Sequence, residues 1–312
     1  MDFTAFLYTI GTLFLLLVTG FIARKTDIID DVSTKKLSAV IVKIGQPFLI
    51  ISSLLTQEFS VDNLKTGLLV TLLSVGLHVF MAALAWLFSS RFRDLGMRGI
   101  TEFALIFTNC GFVGFPILQS LYGDRGLFCG AFYLIGFHLF TWSWGLFVLT
   151  RGRDDVKLTA KNILVNFGTV PIAIGIALFL LPFRMPSVIT DFTKYLAGLC
   201  TPVSLLITGA LIATRRPKEI FGRPVVYVIS FFRLVVIPVA AACILRLIGL
   251  DPFYVVFGTV MAAMPSAAVV TMFCEMYSLD SAYSSQLVGI TTLLSTGTLP
   301  LIVLFVKWLC CV

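Results

Sequence analysis

The stretch TEFALIFTNCGFVGFPILQSLYG, residues 101–123, decides how this chain is read. It is apolar enough to cross a bilayer, yet Asn109, Gly111, Gly114 and Pro116 crowd into about two turns near its middle. Proline removes a backbone donor and clashes with the preceding turn, and glycine leaves the backbone uncovered. A helix is therefore expected to break there. In hydrocarbon the freed amides and carbonyls need partners, which only protein or a wet cavity supplies. A broken helix at membrane depth marks a place built for something polar.

Working outward, this run covers 100–121 and has nine apolar companions. They are 3–23, 37–56, 66–89, 127–149, 163–182, 191–213, 224–248, 254–277 and 284–306. Only 12% of the 312 residues are charged and 58% are hydrophobic. A soluble domain carries about 25% charged residues. The composition excludes an ordinary soluble enzyme, and it excludes a nucleic-acid binder despite the net charge of +7. At roughly 20 residues per span, ten helices leave about 100 residues for connections, too few for a separate soluble domain. The first run is too long for a signal-peptide core and is expected to stay as a helix. The seven cysteines include no C-x-x-C pair.

The basic residues report sidedness. Fifteen of the 23 lysines and arginines fall in four clusters, Arg24–Lys36, Arg91–Arg98, Arg151–Lys161 and Arg215–Arg223, all in connections on one side of a ten-span arrangement. Six lie on the other side (Lys65, Arg125, Arg184, Lys194, Arg246 and Lys307), and Lys43 and Arg233 lie inside apolar runs. Positive charge collects on the cytoplasmic side. The expectation is a multi-pass protein of the cytoplasmic membrane with both termini outside.

Sliding the sequence by 155 residues sets Gly20 on Gly175, Pro47 on Pro202, Ser53 on Thr208, His78 on Arg233 and Tyr122 on Tyr277. Each half then holds five spans, an odd number, so the halves enter the membrane in opposite senses. Inverted repeats of this kind are common in secondary transporters. The expected organisation is one membrane unit of two repeats, residues 1–156 and 157–312. The ninth run, GTVMAAMPSAAVVTMFCEMYS (258–278), is the partner of the fourth, with Pro265 and Ser266 opposite Cys110 and Gly111. The fold class read here is all-α and polytopic: ten transmembrane helices, two inverted five-helix repeats, and crossed broken helices 4 and 9. Ends of half-helices carry partial charge, so such a crossing can hold ions. Pro47 and Pro202 are expected to bend helices that line the same cavity.

Ionisable groups at depth are expensive and mark function by default. Arg233 has two readings, a partner for a substrate carboxylate or a structural partner of Glu275. Glu275 can carry a coupling proton, ligate sodium, or pair near the interface. His78 and His138 titrate near neutrality and are candidate proton carriers or packed ring donors. Lys43 is read as reaching toward the cytoplasmic surface. Glu102 stands at the start of the fourth run, where a negative charge suits a helix N-terminus. No metal-ligand motif is present.

The stretches GFIARKTDIID (20–30), QPFLIISSLL (46–55), NCGFVGFPILQSLYGDRG (109–126), MPSAAVVTMFCEMYSLD (264–280) and TTLLSTGTLPL (291–301) resemble the auxin efflux carrier family, which includes the plant PIN-FORMED exporters and bacterial carriers. The resemblance runs nearly end to end. It implies ten helices in inverted repeats, crossed helices 4 and 9, elevator-like movement, and transport of small organic anions such as mono- or dicarboxylates. It also admits a homodimer. Asn109 matches the family's crossover asparagine and Pro265 its crossover proline. Thr108 stands where the plant exporters have proline, His138 lies near a helix-5 position that is asparagine in many bacterial members, and the long plant loop is absent. Auxin is a poor guess for this chain.

The reading is a secondary transporter of a small organic anion, with no cofactor and with coupling to protons, sodium or membrane potential left open. The substrate-binding candidates are Asn109, Gly111, Gly114, Pro116, Pro265, Ser266, Arg233, Pro47 and Pro202. The coupling candidates are Glu275, His78 and His138. A channel or sensor on the same fold is the alternative. An intramembrane enzyme ranks lower, because no nucleophile–base pair or carboxylate dyad stands at catalytic spacing, and no Walker A motif is present.

Overall fold

The structure, a computed structural model, describes residues 3–55, 59–153, 165–181, 185–214 and 222–311. The end of the fifth connection, including Lys157 and Lys161, lies outside the described residues, as do Arg184, Arg215, Arg216 and Lys218. The described chain is helical. In order, α1 is Phe3–Lys25, α2 Asp31–Leu54, α3 Val61–Ser89, α4 Leu95–Ile106, α5 Gly114–Thr150, α6 Thr169–Phe179, α7 Ser187–Ala213, α8 Pro224–Leu247, α9 Pro252–Ala263, α10 Val269–Met276 and α11 Ser281–Cys310. Among the described residues seven helices are long and apolar enough to cross a membrane, namely α1, α2, α3, α5, α7, α8 and α11. Two more, α6 and α9, are apolar but shorter.

Local chemistry sets the ends. Asp30, Asp94, Asp251 and Asp280 each accept a backbone N–H at the start of a helix, the preferred role of a short acidic side chain. The hydrogen bond from Ser33 holds the exposed Asp30 carboxyl below the usual carboxylate range. Two prolines widen the turns before them. Pro47 follows a π turn at Ile41–Gly45, and Pro238 follows one at Phe232–Val236. A π turn relieves the clash between a proline ring and the carbonyl four residues back. Lys43 and Arg233 both sit in these turns. A third π turn, Thr141–Gly145, has no proline after it and no such cause.

The helices form two compact units, each drawing on both halves of the chain. The first comprises residues 1–75, 111–144 and 157–210. In it α1 lies directly on α7: a Cβ on Gly209 would stand 1.9 Å from the Leu17 carbonyl oxygen, and one on Gly20 would stand 2.1 Å from that of Leu206. The second comprises residues 76–110, 145–156 and 211–312. Its interior is formed by α4, α8, α9, α10 and α11, with Phe103, Phe257, Phe273 and Tyr283 fully or nearly fully buried.

Helix starts recur at closely similar spacings, 157 residues for one pair and 155 for the next. α4 begins at 95 and α9 at 252; α5 begins at 114 and α10 at 269. Gly123, inside α5, has φ of 58° and ψ of −142°, and Ser278, 155 residues on, has φ of 53°. At 123 only glycine adopts that backbone freely. Glu102 does not open a helix, as expected from the apolar run. The helix starts at Leu95, capped by Asp94, and Glu102 lies in its second turn and beyond. Lys194 likewise belongs to α7, which begins four residues before the apolar run.

Candidate functional site

The fourth run breaks where its glycines and proline predict. α4 ends at Ile106, Phe107 turns extended (φ −95°, ψ 120°), and helix resumes at Gly114. The ninth run breaks at the matching place. α9 ends at Ala263, Met264 is extended (φ −62°, ψ 151°), and helix resumes at Val269.

The two breaks pair with each other. Thr108 and Ser266 form an antiparallel β-bridge. The Asn109 amide donates to the Pro265 carbonyl at 2.7 Å, and the Ala267 amide donates to the Phe107 carbonyl at 2.9 Å. This satisfies backbone groups that the broken helices release, as burial in an apolar medium demands. Ser266 secures the junction further. Its Oγ donates to the Ala104 carbonyl at 2.9 Å, and its amide donates to Thr291 Oγ1 at 3.2 Å. The structure thus brings Asn109, Pro265 and Ser266 together.

Arg233 stands at the same junction. Its two terminal nitrogens donate to the carbonyls of Ala262 (2.8 Å) and Met264 (2.9 Å). The side chain is fully buried. A guanidinium at the C-terminal end of α9 meets exposed carbonyls and the negative end of the helix dipole, which favours a cation. Glu275 lies on α10, and its side chain is outside the described residues. Two further hydroxyls, Thr108 Oγ1 at the bridge and Thr271 Oγ1 on α10, are buried with no hydrogen-bond partner among the described residues. An unsatisfied buried hydroxyl costs about 1–3 kcal/mol.

His78 is buried on α3, its ring 5.9 Å from that of Phe107. His138 stands in the other unit, with Nε2 3.3 Å from the Gln46 amide nitrogen, next to Pro47.

Within the first unit, α2, the start of α5 and α7 enclose a cavity of about 620 Å³. Pro116 lines it together with Ser52, Ser53, Gln119, Asp124, Thr193, Lys194 and Thr201. Pro47 and Pro202 are not among its walls, although Thr201 and Leu49 beside them are. Several wall hydroxyls spend their protons on backbone carbonyls: Ser53 on Leu49 (2.6 Å), Thr193 on Thr190 (2.8 Å) and Thr201 on Phe112 (3.0 Å). Among the wall side chains Lys194, Gln119 and Ser52 can donate to an anion, and Asp124 adds one carboxylate to the wall. Gly111 stands near the same wall, with Leu49 as the neighbour in its Cβ direction at 3.9 Å. Gly114 is buried at the start of α5.

A buried polar cluster that the apolar reading passed over surrounds Glu102. Its carboxylate accepts from Ser89 Oγ (2.6 Å), Arg98 Nε (2.9 Å) and Arg151 Nη2 (3.1 Å). The i, i+4 spacing of Arg98 and Glu102 is the one sequence signal that could have found it.

Paired, broken helices are a local architecture of membrane carriers. The family described as membrane transport protein matches residues 6–166 and 156–303. The chain belongs to that family, the auxin efflux carriers. An uncharacterized transporter of Methanocaldococcus jannaschii is 26% identical over 297 residues, covering 90% of this chain and 92% of the relative. An uncharacterized transporter of Methanothermobacter thermautotrophicus is 22% identical over 296 residues, covering 94% of this chain and 96% of the relative. The protein is a multi-pass membrane transport protein, and the family and these relatives are named for transport rather than for catalysis.

Proposed function

We propose that this family member is a secondary carrier of small organic anions, mono- or dicarboxylates, built from two inverted five-helix repeats whose fourth and ninth helices cross at their breaks. The hydrogen-bonded pairing of residues 107–109 with 265–267 is the observation that carries this reading. The recurrence of helix starts at spacings of 157 and 155 residues supports the repeat, and so do the positive φ angles at Gly123 and Ser278. Counting α4 with the start of α5, and α9 with α10, as broken passes gives ten crossings. The donors Lys194 and Gln119 in the cavity favour a carboxylate, since an ammonium is the compact, mobile partner such a group binds by charge. Elevator movement, and a homodimer that would accompany it, are carried over from the resemblance.

The test uses purified protein in liposomes loaded with unlabelled malate or acetate. Labelled malate or acetate added outside should exchange, and the rate should saturate with concentration. Lys194→Gln should raise KM about tenfold, the order of one lost charge-assisted contact. Asn109→Ala should lower the maximal rate while the protein still inserts. Flux that never saturates would indicate a channel instead. Absence of any exchange across a panel of mono- and dicarboxylates would overturn the substrate class.

A further inference from the structure

The cavity among α2, α5 and α7 presents two charges of opposite sign. Asp124 and Lys194 are the ionisable side chains on its wall, so the wall carries no net charge. Both residues are exposed. Among the described residues neither is held in an ion pair, and the two stand too far apart to pair with each other. Their charged sequence neighbours, Arg125 and Asp191, are not on the wall. The lining also includes an apolar set, Leu49, Leu55, Phe115 and Leu127.

We infer that this cavity takes a zwitterion, a neutral α-amino acid with an apolar side chain, with Lys194 holding its carboxylate and Asp124 its ammonium group. The inference rests on the reading of the cavity as the transport site and narrows the substrate class proposed for it.

A volume of about 620 Å³ corresponds to a space about 10 Å across, close to the Debye length of about 8 Å at physiological salt. A solute inside is therefore fully screened from neither charge. An anion with no positive group is attracted by Lys194 and repelled by Asp124, and the two effects oppose each other. A zwitterion turns its carboxylate to Lys194 and its ammonium to Asp124, and both contacts are attractive. Each is a charge-assisted hydrogen bond, the stronger kind. A dicarboxylate would bring a second negative charge for which the wall has no second cation, and a basic amino acid a second positive charge for which it has no second carboxylate. The side chain that fits is uncharged. Leu49, Leu55, Phe115 and Leu127 offer it apolar surface, where shedding water is favourable. Asp124 thus turns a general carboxylate site into a selective one, because it penalises the wrong charge pattern as well as rewarding the right one.

Liposomes holding the full-length protein and unlabelled leucine test this, with labelled leucine added outside. Exchange should occur and saturate. Isocaproate is leucine without its ammonium group, and isoamylamine is leucine without its carboxylate. Each should compete about tenfold more weakly than leucine, the order of one lost charge-assisted contact. Asp124→Asn should raise KM for leucine about tenfold and bring isocaproate close to leucine, since the repulsion is gone. Lys194→Gln should raise KM for leucine to a similar degree and weaken isocaproate further. Isocaproate competing as well as leucine in the wild-type protein overturns the inference, and this comparison decides even where a variant fails to insert. A leucine KM unmoved by Asp124→Asn overturns it too. Exchange of malate or acetate by a protein that ignores leucine overturns the inference and leaves the carboxylate carrier standing. A protein that exchanges none of these overturns both.

Discussion

Arg233 carries the clearest consequence at the scale of single residues. Its fork spans two carbonyls at the end of α9, a geometry that a single ammonium cannot reproduce. Arg233→Met should leave both carbonyls without their donors, at about 1–3 kcal/mol each. Arg233→Lys should recover the charge but only part of the hydrogen bonding. Thermal unfolding in detergent should therefore order wild type above the lysine variant and the lysine variant above methionine. A lysine variant as stable as wild type would show that charge alone matters there. The sequence placed Arg233 at membrane depth but not its partners, because backbone carbonyls carry no residue signature. Glu102 escaped for a related reason: hydropathy locates the apolar run, whereas the helix begins earlier, at the Asp94 cap, and turns Glu102 inward toward Ser89, Arg98 and Arg151. Glu102→Gln would weaken charge-assisted contacts to two arginines, and a loss of about 2 kcal/mol is expected in the same unfolding measurement.

Elements were legible where backbone chemistry is written in residue type. Gly111, Gly114 and Pro116 announce the break after α4, and Pro265 announces the break after α9, since these residues alter what the backbone can donate or cover. That the two breaks bond to each other was legible only through the 155-residue register, and the positive φ at Ser278 was not legible at all. The close approach of α1 and α7 was also hidden, because a glycine reads the same in a packed seam and in open lipid. Its consequence is measurable. Gly209→Ala would put a methyl within 1.9 Å of the Leu17 carbonyl oxygen, so the helices must separate. Overpacking of this kind costs about 1–3 kcal/mol. Gly11, also on α1, has nothing within 4 Å of its Cβ direction, so Gly11→Ala should be neutral or slightly stabilising through helix propensity. Equal destabilisation by both substitutions would argue that neither position is a seam.

For the whole molecule, the charge ledger makes a prediction about sidedness that chemical labelling can decide. Fifteen basic residues gather in connections on one side, and transfer of such clusters across the membrane is disfavoured, so those connections should be cytoplasmic and residue 311 should lie outside. Cys311 is exposed, whereas Cys110, Cys129, Cys200, Cys274 and Cys310 are buried and Cys243 is half-buried. It is therefore a native reporter. A membrane-impermeant maleimide added to intact cells should label the wild-type protein, and Cys311→Ser should abolish most of that signal. In the Cys311→Ser background, a cysteine replacing the exposed Arg93 should react only after the cells are permeabilised. The opposite pattern would invert the orientation. It would also place Lys194 and its cavity at the cytoplasmic end of α7, so the anion would enter that cavity from inside the cell rather than from outside.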